Sequence, residues 1–331
     1  MSANLQSGVD FPIDLVYLWV DGSDPTWLAK KQQYLPSAEN IEPRGAVQER
    51  WQDNDELRHS LRSAEMFAPW IRHIYIVTDN QHPKWLKRDH PKVTVVSHSA
   101  IFPSDVLPVF NSNAIETRLP FIPGLAEHFL FANDDMFFGR ETYADFFFTP
   151  AGRPIVQMKP IRGLADHLRQ GKFAEFVEPL KAQGNLYRLC RMVKILHDCT
   201  GMILPYQSAH VIDPYCKSHF LANLSDPRFK DIWDLTMRAR FRSPDTAQRM
   251  LHTLIDQAEK RNHIKDITRF KCFRRLLAPH RLPMLLCKPG DFAVIRKVRP
   301  HLFCVFDNQD NRRLLPEFFA QYYARKSSFE M

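Results

Sequence analysis

Phe129-Leu130-Phe131-Ala132-Asn133-Asp134-Asp135-Met136-Phe137-Phe138-Gly139 is the stretch on which the reading of this chain turns. An apolar run of strand length stops at an amide and two adjacent carboxylates, then resumes as Met-Phe-Phe before a glycine. That is the pattern of a buried strand ending in a polar tip. Open α/β sheets hold their ligands outside the carboxyl ends of their strands. A carboxylate pair there suits a divalent cation, whose oxygen ligands bridge to phosphates. Asn and Asp also make turns by capping their own backbone, so the tip alone supports a plain turn and a metal or phosphate site equally.

Working outward, Asp14 to Val20 is strand-like and runs into Asp21-Gly22-Ser23-Asp24-Pro25, a turn cluster, with a helix expected from Trp27 and Asp24 as its cap. No GxGxxG spacing follows, so a dinucleotide fold is not implied. Asp53 with Glu56 has the form of a capping box, and Leu57, Leu61, Ala64 and Met66/Phe67 make an apolar stripe behind it. Arg58 and Arg62 fall on one face of that helix, where they can grip phosphate oxygens or pair with carboxylates. Further strands are expected at Ile74 to Thr78, ending at Asp79-Asn80-Gln81, and at Val93 to Val96. A short helix opens at Asn111 or Ser112 and carries Glu116. Apolar strands alternating with helices predict an α/β fold, a mostly parallel sheet covered on both faces.

After Pro150 the pattern changes to helices over Leu164 to Leu180, Asn185 to Leu196, Pro214 to Leu224 and Pro244 to Arg261, the last capped by Ser243. Between them lies the loop Leu204 to Pro214, holding His210 three residues before Asp213. A lone histidine is more often a structural hydrogen-bonding residue than a catalyst. Arg238, Arg240 and Arg242 alternate, which in an extended segment places them on one side, as an anion-binding or a solvated basic edge. Strands return at Phe292 to Ile295 and His301 to Phe306, followed by the acidic tip at Asp307 and a last helix, Arg312 to Ala324. The expected organisation is one catalytic domain over 1–331, with an α/β core at 10–160 and 285–331 and a helical insertion at 161–284.

Composition limits the function. With 331 residues, 44% hydrophobic, the chain can bury a sizeable core. Its net charge of +8 points to an anionic substrate, an anionic membrane surface, or both. No nucleic-acid-binding motif is present. The six cysteines show no CxxC pairing and no metal-like grouping with histidines, which predicts reduced, mostly buried thiols. No signal-like start and no membrane-spanning apolar run are read, which predicts a cytoplasmic protein with at most peripheral contact at the inner membrane face.

Asp14 to Pro25 resembles the first block of the Stealth proteins. Asp53 to Arg62, Pro69 to Gln81, Phe110-Asn111-Ser112 with Ala114 to Glu116, and Asn133 to Gly139 resemble the long second block. Pro205 to Asp213 with Arg242 to Gln248 resemble the third, and Phe303 to Asp310 with Ser327 to Glu330 the fourth, where Phe306 replaces the usual Asn before Asp307. The resemblance implies a Rossmann-like, GT-A-like sheet. It also implies transfer of a hexose or N-acetylhexosamine 1-phosphate from a UDP-sugar to a hydroxyl of an acceptor glycan, lipid-linked or free. The product is a phosphodiester of capsular or exopolysaccharide, and UMP is released.

In that chemistry negative charge accumulates on phosphoryl oxygens, so catalysis consists of positioning and neutralisation. The resemblance then assigns Mg²⁺ or Mn²⁺ to Asp134, Asp135 and Asp307, and diphosphate contacts to Arg58, Arg62 and Arg242. His210, with an ordinary pKa of about 6.5, is the expected general base, oriented by Asp213, with Asp135 the competing base. Trp19, Val20, Asp21 and Gly22 are expected under the nucleotide, and Asn54, Asn111, Glu116 and Asn133 around the substrate. Two rivals stand beside this reading: a metal-dependent glycosyltransferase that releases UDP, and a non-catalytic capsule-binding protein.

Overall fold

The computed structural model describes residues 8–35, 55–268, 284–286, 290–305 and 309–331. The expectations placed on Asn54 and Asp307, and on Cys272 and Cys287, lie outside the described residues. In chain order, the first half holds β1 (Ile13–Leu18), α1 (Pro25–Tyr34), α2 (Glu56–Phe67), β2 (Ile74–Thr78), β3 (Val93–Ser97), α3 (Ser112–Glu116), β4 (His128–Asn133), β5 (Met136–Phe138) and β6 (Ile155–Pro160). The middle holds α4 (Leu164–Arg169), α5 (Phe173–Val177), α6 (Asn185–Thr200), β7 (Tyr206–Ser208), β8 (Asp213–Cys216), α7 (Lys217–Ser225), α8 (Lys230–Arg238), α9 (Met250–Ala258) and β9 (His263–Asp266). The last part holds β10 (Met284–Leu286), α10 (Gly290–Val298), β11 (Leu302–Val305) and α11 (Gln309–Tyr322).

The main sheet has the order β3-β2-β1-β4-β8, with the first four strands parallel and β8 antiparallel at the edge. It is the mostly parallel α/β sheet the sequence predicts. Alternation along β1 and β4 explains its double cover. Leu15, Tyr17, Leu130 and Ala132 face the apolar stripe of α2 (Leu57, Leu61, Ala64), while Val16, Phe129 and Phe131 face Ala114, Ile115, Leu119 and Phe220. Each buried Leu, Ile, Val or Phe among them contributes roughly 1.5–3 kcal/mol. Met66, expected on the stripe, is 38% exposed.

Register decides what meets at the sheet's carboxyl edge. Leu18 of β1 pairs with Asn133 of β4, so both strands end at the same level. Because β8 runs the opposite way, its first residue, Asp213, pairs with Phe131, and the turn that carries His210 arrives beside the end of β4. A second sheet, β10-β11-β5, places Cys304 opposite Met136, directly after Asp135.

Several local expectations are corrected. The segment expected as a helix from Pro214 begins as β8, because pairing with β4 outweighs local preference and a proline is tolerated on an edge strand. The region 161–284 is therefore not purely helical: β8 completes the main sheet, and β7 and β9 flank β6 in a third sheet. The helix expected over Leu164 to Leu180 is divided at Gly171, which takes φ +70. Phe292 to Ile295 lies in helix α10 instead of a strand: Phe292 and Ile295, three apart, are buried, and Val294 is 44% exposed, a helical spacing. Ser243 caps a turn by accepting from Asp245 N at 3.0 Å, and the helix starts only at Met250. The caps at Asp24 and Asn111 match expectation, accepting from Thr26 N and Asn113 N.

Candidate functional site at the carboxyl edge of the sheet

Asp134 and Asp135 form the turn between β4 and β5. The Asp135 carbonyl accepts from Val305 N at 2.9 Å, which ties the turn to β11. One oxygen of its carboxylate, Oδ1, is buried and has no hydrogen-bond partner among the described residues. Burial pushes the Asp135 pKa up, while His210, the Cys304 thiol, its own amide and Arg249 pull it the other way. One ligand atom each from Asp135, His210 and Cys304 lie within 4.8 Å of one another. The expectation that no cysteine groups with a histidine is thus corrected by β11, which carries Cys304 to the turn.

An orphaned, buried carboxylate oxygen fits a cation, and Asp135 is a hard ligand of the kind Mg²⁺ and Mn²⁺ take. The imidazole and thiol beside it are donors those two ions favour less. Among the described residues, the fit to the expected metal therefore rests on Asp135, since Asp134 is not among the grouped ligand atoms.

Behind this turn lies a buried charge cluster. Arg249, immediately before α9, donates from Nη2 to Asp213 Oδ2 at 3.0 Å and sits 3.6 Å from Glu116 Oε1. Its guanidinium lies over the Phe131 ring at 4.6 Å from the centroid. Burial works against the Arg249 charge, but Glu116, Tyr215 and Asp213 outweigh it and hold its pKa above the usual value. Burial pushes Asp213 up to about 6 against the pull of Arg249. Glu116 is likewise raised by burial and restrained by Arg249, Arg242 and Arg188. Arg242 donates from Nη2 to Ser112 Oγ at the start of α3. Asn111 Nδ2 donates to Ala239 O at 2.9 Å, and Asn113 Nδ2 to Thr246 Oγ1 at 3.2 Å, so the segment 239–246 is laced to α3.

At the end of β1, Trp19 is buried and its amide donates to Val77 O at 3.0 Å. Gln81 clasps Asp21, accepting from its amide and donating to its carbonyl, both at 2.9 Å. Asp21 Oδ1 accepts from Ser23 N at 2.9 Å and turns the chain at Gly22. Val20 packs on the cluster of Trp27, Phe110 and Phe241, which joins this loop to the entry of α3.

The structure therefore brings Asp135 and His210 together, and links Glu116, Asp213, Asn111 and Arg242 to them through Arg249 and α3. Asn133 ends β4 beside them and Asp134 begins the turn. Other expectations are corrected. Asp213 is paired with Arg249, so its carboxylate anchors that guanidinium instead of orienting His210. Arg62 gives Nε and Nη2 to the two oxygens of Glu330, both at 2.7 Å, and Nη1 to Tyr323 O at 2.9 Å; Arg58 Nε reaches Glu330 Oε2 at 2.6 Å. These two arginines clasp the C-terminal segment, and the expected phosphate grip is replaced by that ion pair. Arg240 donates to Pro108 O at 2.8 Å and Arg238 pairs with Asp105 at 3.0 Å, so of the alternating arginines only Arg242 reaches α3 near Glu116. Sequence reading missed Arg249 and Cys304. Neither stands out as a residue: Arg249 falls inside the expected helix Pro244 to Arg261, and Cys304 in an apolar strand.

The fold and the site define an α/β protein whose polar chemistry gathers at the carboxyl edge of a mostly parallel sheet. Family models described as Stealth protein conserved region 1 and conserved region 2 match residues 11–38 and 50–156. An exopolysaccharide phosphotransferase of Lactiplantibacillus plantarum is 36% identical over 256 residues, covering 70% of this chain and 72% of that protein. Another, of Streptomyces coelicolor, is 39% identical over 242 residues, 72% of this chain and 42% of its own length. A third, from Mycobacterium tuberculosis, is 47% identical over 153 residues, 46% of this chain and 28% of its own. The chain belongs to the Stealth family. It spans less than half the length of the Streptomyces coelicolor relatives. Among solved structures, a galactosyltransferase in complex with donor and acceptor sugar analogs aligns over 95% of this chain and 96% of its own, at TM-score 0.44 and 9% identity. The glycosyltransferase GlyE of Streptococcus pneumoniae aligns over 95% and 63%, at TM-score 0.44 and 8% identity. No helix among the described residues is long and apolar enough to cross a membrane.

Proposed function

We propose that this chain, acting as one catalytic unit, transfers a hexose or N-acetylhexosamine 1-phosphate from a UDP-sugar to a hydroxyl of an acceptor glycan in exopolysaccharide synthesis. The observation that carries the reading is the meeting of Asp135 and His210 within 4.8 Å at the sheet's carboxyl edge, backed by arginines, in a member of a family whose relatives are named exopolysaccharide phosphotransferases. His210, exposed at the edge, takes the proton of the acceptor hydroxyl as its oxygen attacks the sugar-linked phosphorus. A phosphodiester bond forms, the bond between the two phosphates breaks, and UMP leaves with the bridging oxygen. Arg242, held toward the site by Ser112, neutralises charge on the phosphoryl oxygens. The loop from Trp19 to Gly22, pinned by Gln81, and Asn133 at the end of β4 meet the nucleotide at this edge, with Asn111 and Glu116 buried behind it. Mg²⁺ or Mn²⁺, with Asp135 as a ligand, would supply neutralisation of the diphosphate. The chain's net charge of +8 suits an anionic, lipid-linked acceptor at the inner membrane face.

The test is incubation of the purified chain with a panel of UDP-sugars and acceptor glycans, read by phosphorus NMR. A phosphodiester signal in the glycan, lost on chelation, is expected. Glycan binding with no nucleotide consumed would leave a non-catalytic binder.

A further inference from the structure

Three parts of the site come from distant stretches of sequence, and one side chain touches all three. The Arg249 guanidinium lies on the ring of Phe131 in β4, four residues before Asp135. It pairs at 3.0 Å with Asp213, the first residue of β8, three residues after His210. It sits 3.6 Å from Glu116 at the end of α3, whose first residue, Ser112, accepts from Arg242. Val211 and Ile212, between His210 and Asp213, are buried, so a fixed Asp213 holds the short segment from which the exposed imidazole projects. Only a planar, forked cation serves two carboxylates and an aromatic face at once; lysine is a point charge without that shape. We infer that Arg249 is the positioning residue of this site, its one buried guanidinium fixing together the strand that leads to Asp135, the segment that bears His210 and the helix that receives Arg242. Its kinetic consequences rest on the phosphotransferase reading; its effect on the imidazole does not.

The experiment uses the full chain with R249K and R249M, and D213N as a second route that keeps the side-chain volume. In the substrate-free protein, nitrogen-15 correlation spectra of the histidine side chains, with the His210 signal assigned through H210Q, are expected to show the His210 resonances displaced in R249K and D213N. Those of His98, in the turn after β3, should be unchanged. In turnover, kcat is expected to fall tenfold to hundredfold, the loss that follows a displacement of about 1 Å, with partial recovery in R249K over R249M. The KM for the donor is expected to stay within about threefold of wild type. If R249M does not fold, R249K and D213N decide. An unmoved His210 signal with kcat within about twofold of wild type overturns the inference and leaves a structural ion pair. A rise in KM matching the whole loss would put Arg249 on the substrate itself and overturn it equally. A wild-type chain that releases no nucleoside monophosphate refutes the functional reading, and the NMR comparison then decides the role of Arg249 alone.

Discussion

Two arginine–carboxylate clusters in this molecule are near mirror images. At the C-terminal clasp, one carboxylate, Glu330, is shared by two guanidiniums, Arg58 and Arg62. At the site, one guanidinium, Arg249, is shared by two carboxylates, Glu116 and Asp213. Burial opposes ionisation of the carboxylates in both, and whether direct hydrogen bonds and opposite charges outweigh it decides which way each acid moves. In the clasp the arginines and the Ser327 amide overcome burial and hold Glu330 down at about 2. At the site burial prevails: Arg249, divided between two acids, leaves Asp213 raised to about 6, and Glu116 is raised as well although Arg242 and Arg188 also act on it. The same residue types thus make a permanent fastener in one place and acids that change charge nearer neutrality in the other. Buried, unevenly compensated acids are a mark of sites more than of scaffolds.

The contrast breaks most visibly in turnover. H210A is expected to lower kcat by about 10²- to 10⁴-fold, since a positioned proton acceptor contributes that much, and R242A by about 10²- to 10³-fold through lost charge neutralisation, with the melting curve retained in both. Near-normal rates in either variant would remove that residue from the mechanism. E330Q should do the reverse. It leaves two guanidiniums facing a neutral amide and destabilises the fold by about 3 kcal/mol in denaturant titration, while kcat per folded molecule is unchanged. A loss of kcat with full stability in E330Q would erase the distinction between clasp and site.

Acid sharpens the comparison through opposite signs. The Glu330 pKa is lowered on folding from 4.5 to about 2, so its contribution is fully present above pH 4.5 and disappears as pH falls through that window. The Asp213 pKa is raised from 3.8 to about 6, so its charge costs stability as pH rises from 3.8 through 6. Denaturation midpoints measured between pH 3 and pH 7 are expected to flatten at the acid end in E330Q, and between about 4 and 6 in D213N. Parallel curves for wild type and E330Q would contradict the clasp. The smallest effect belongs to the solvent-exposed pair of Arg169 with Asp166; R169A is expected to leave both midpoint and turnover unchanged.

How far the sequence reveals this follows from what each feature depends on. The strands β1, β2, β3 and β4 are apolar runs with polar ends, and a parallel buried sheet asks for little more, so they are legible without coordinates. The caps at Asp24 and Asn111 are local and equally readable. β8 is not, because Asp213-Pro-Tyr-Cys has no strand pattern of its own and takes that form by pairing with β4. The gathering of Asp135 and His210 is expected only through the family resemblance. Arg58 and Arg62 show the limit of helix-face reasoning: their placement on one face is right, and the partner, Glu330, comes from the far end of the chain. Arg249 is invisible for the same reason, since its burial depends on two acids supplied by separate stretches.

The most direct measurement is the identity of the nucleotide released when the wild-type chain consumes a UDP-sugar in the presence of acceptor. Attack at the sugar-linked phosphorus, with His210 as base, yields UMP, and the yield should vanish in H210A. Release of UDP, with the sugar carbon–oxygen bond broken, would contradict phosphoryl transfer at this site.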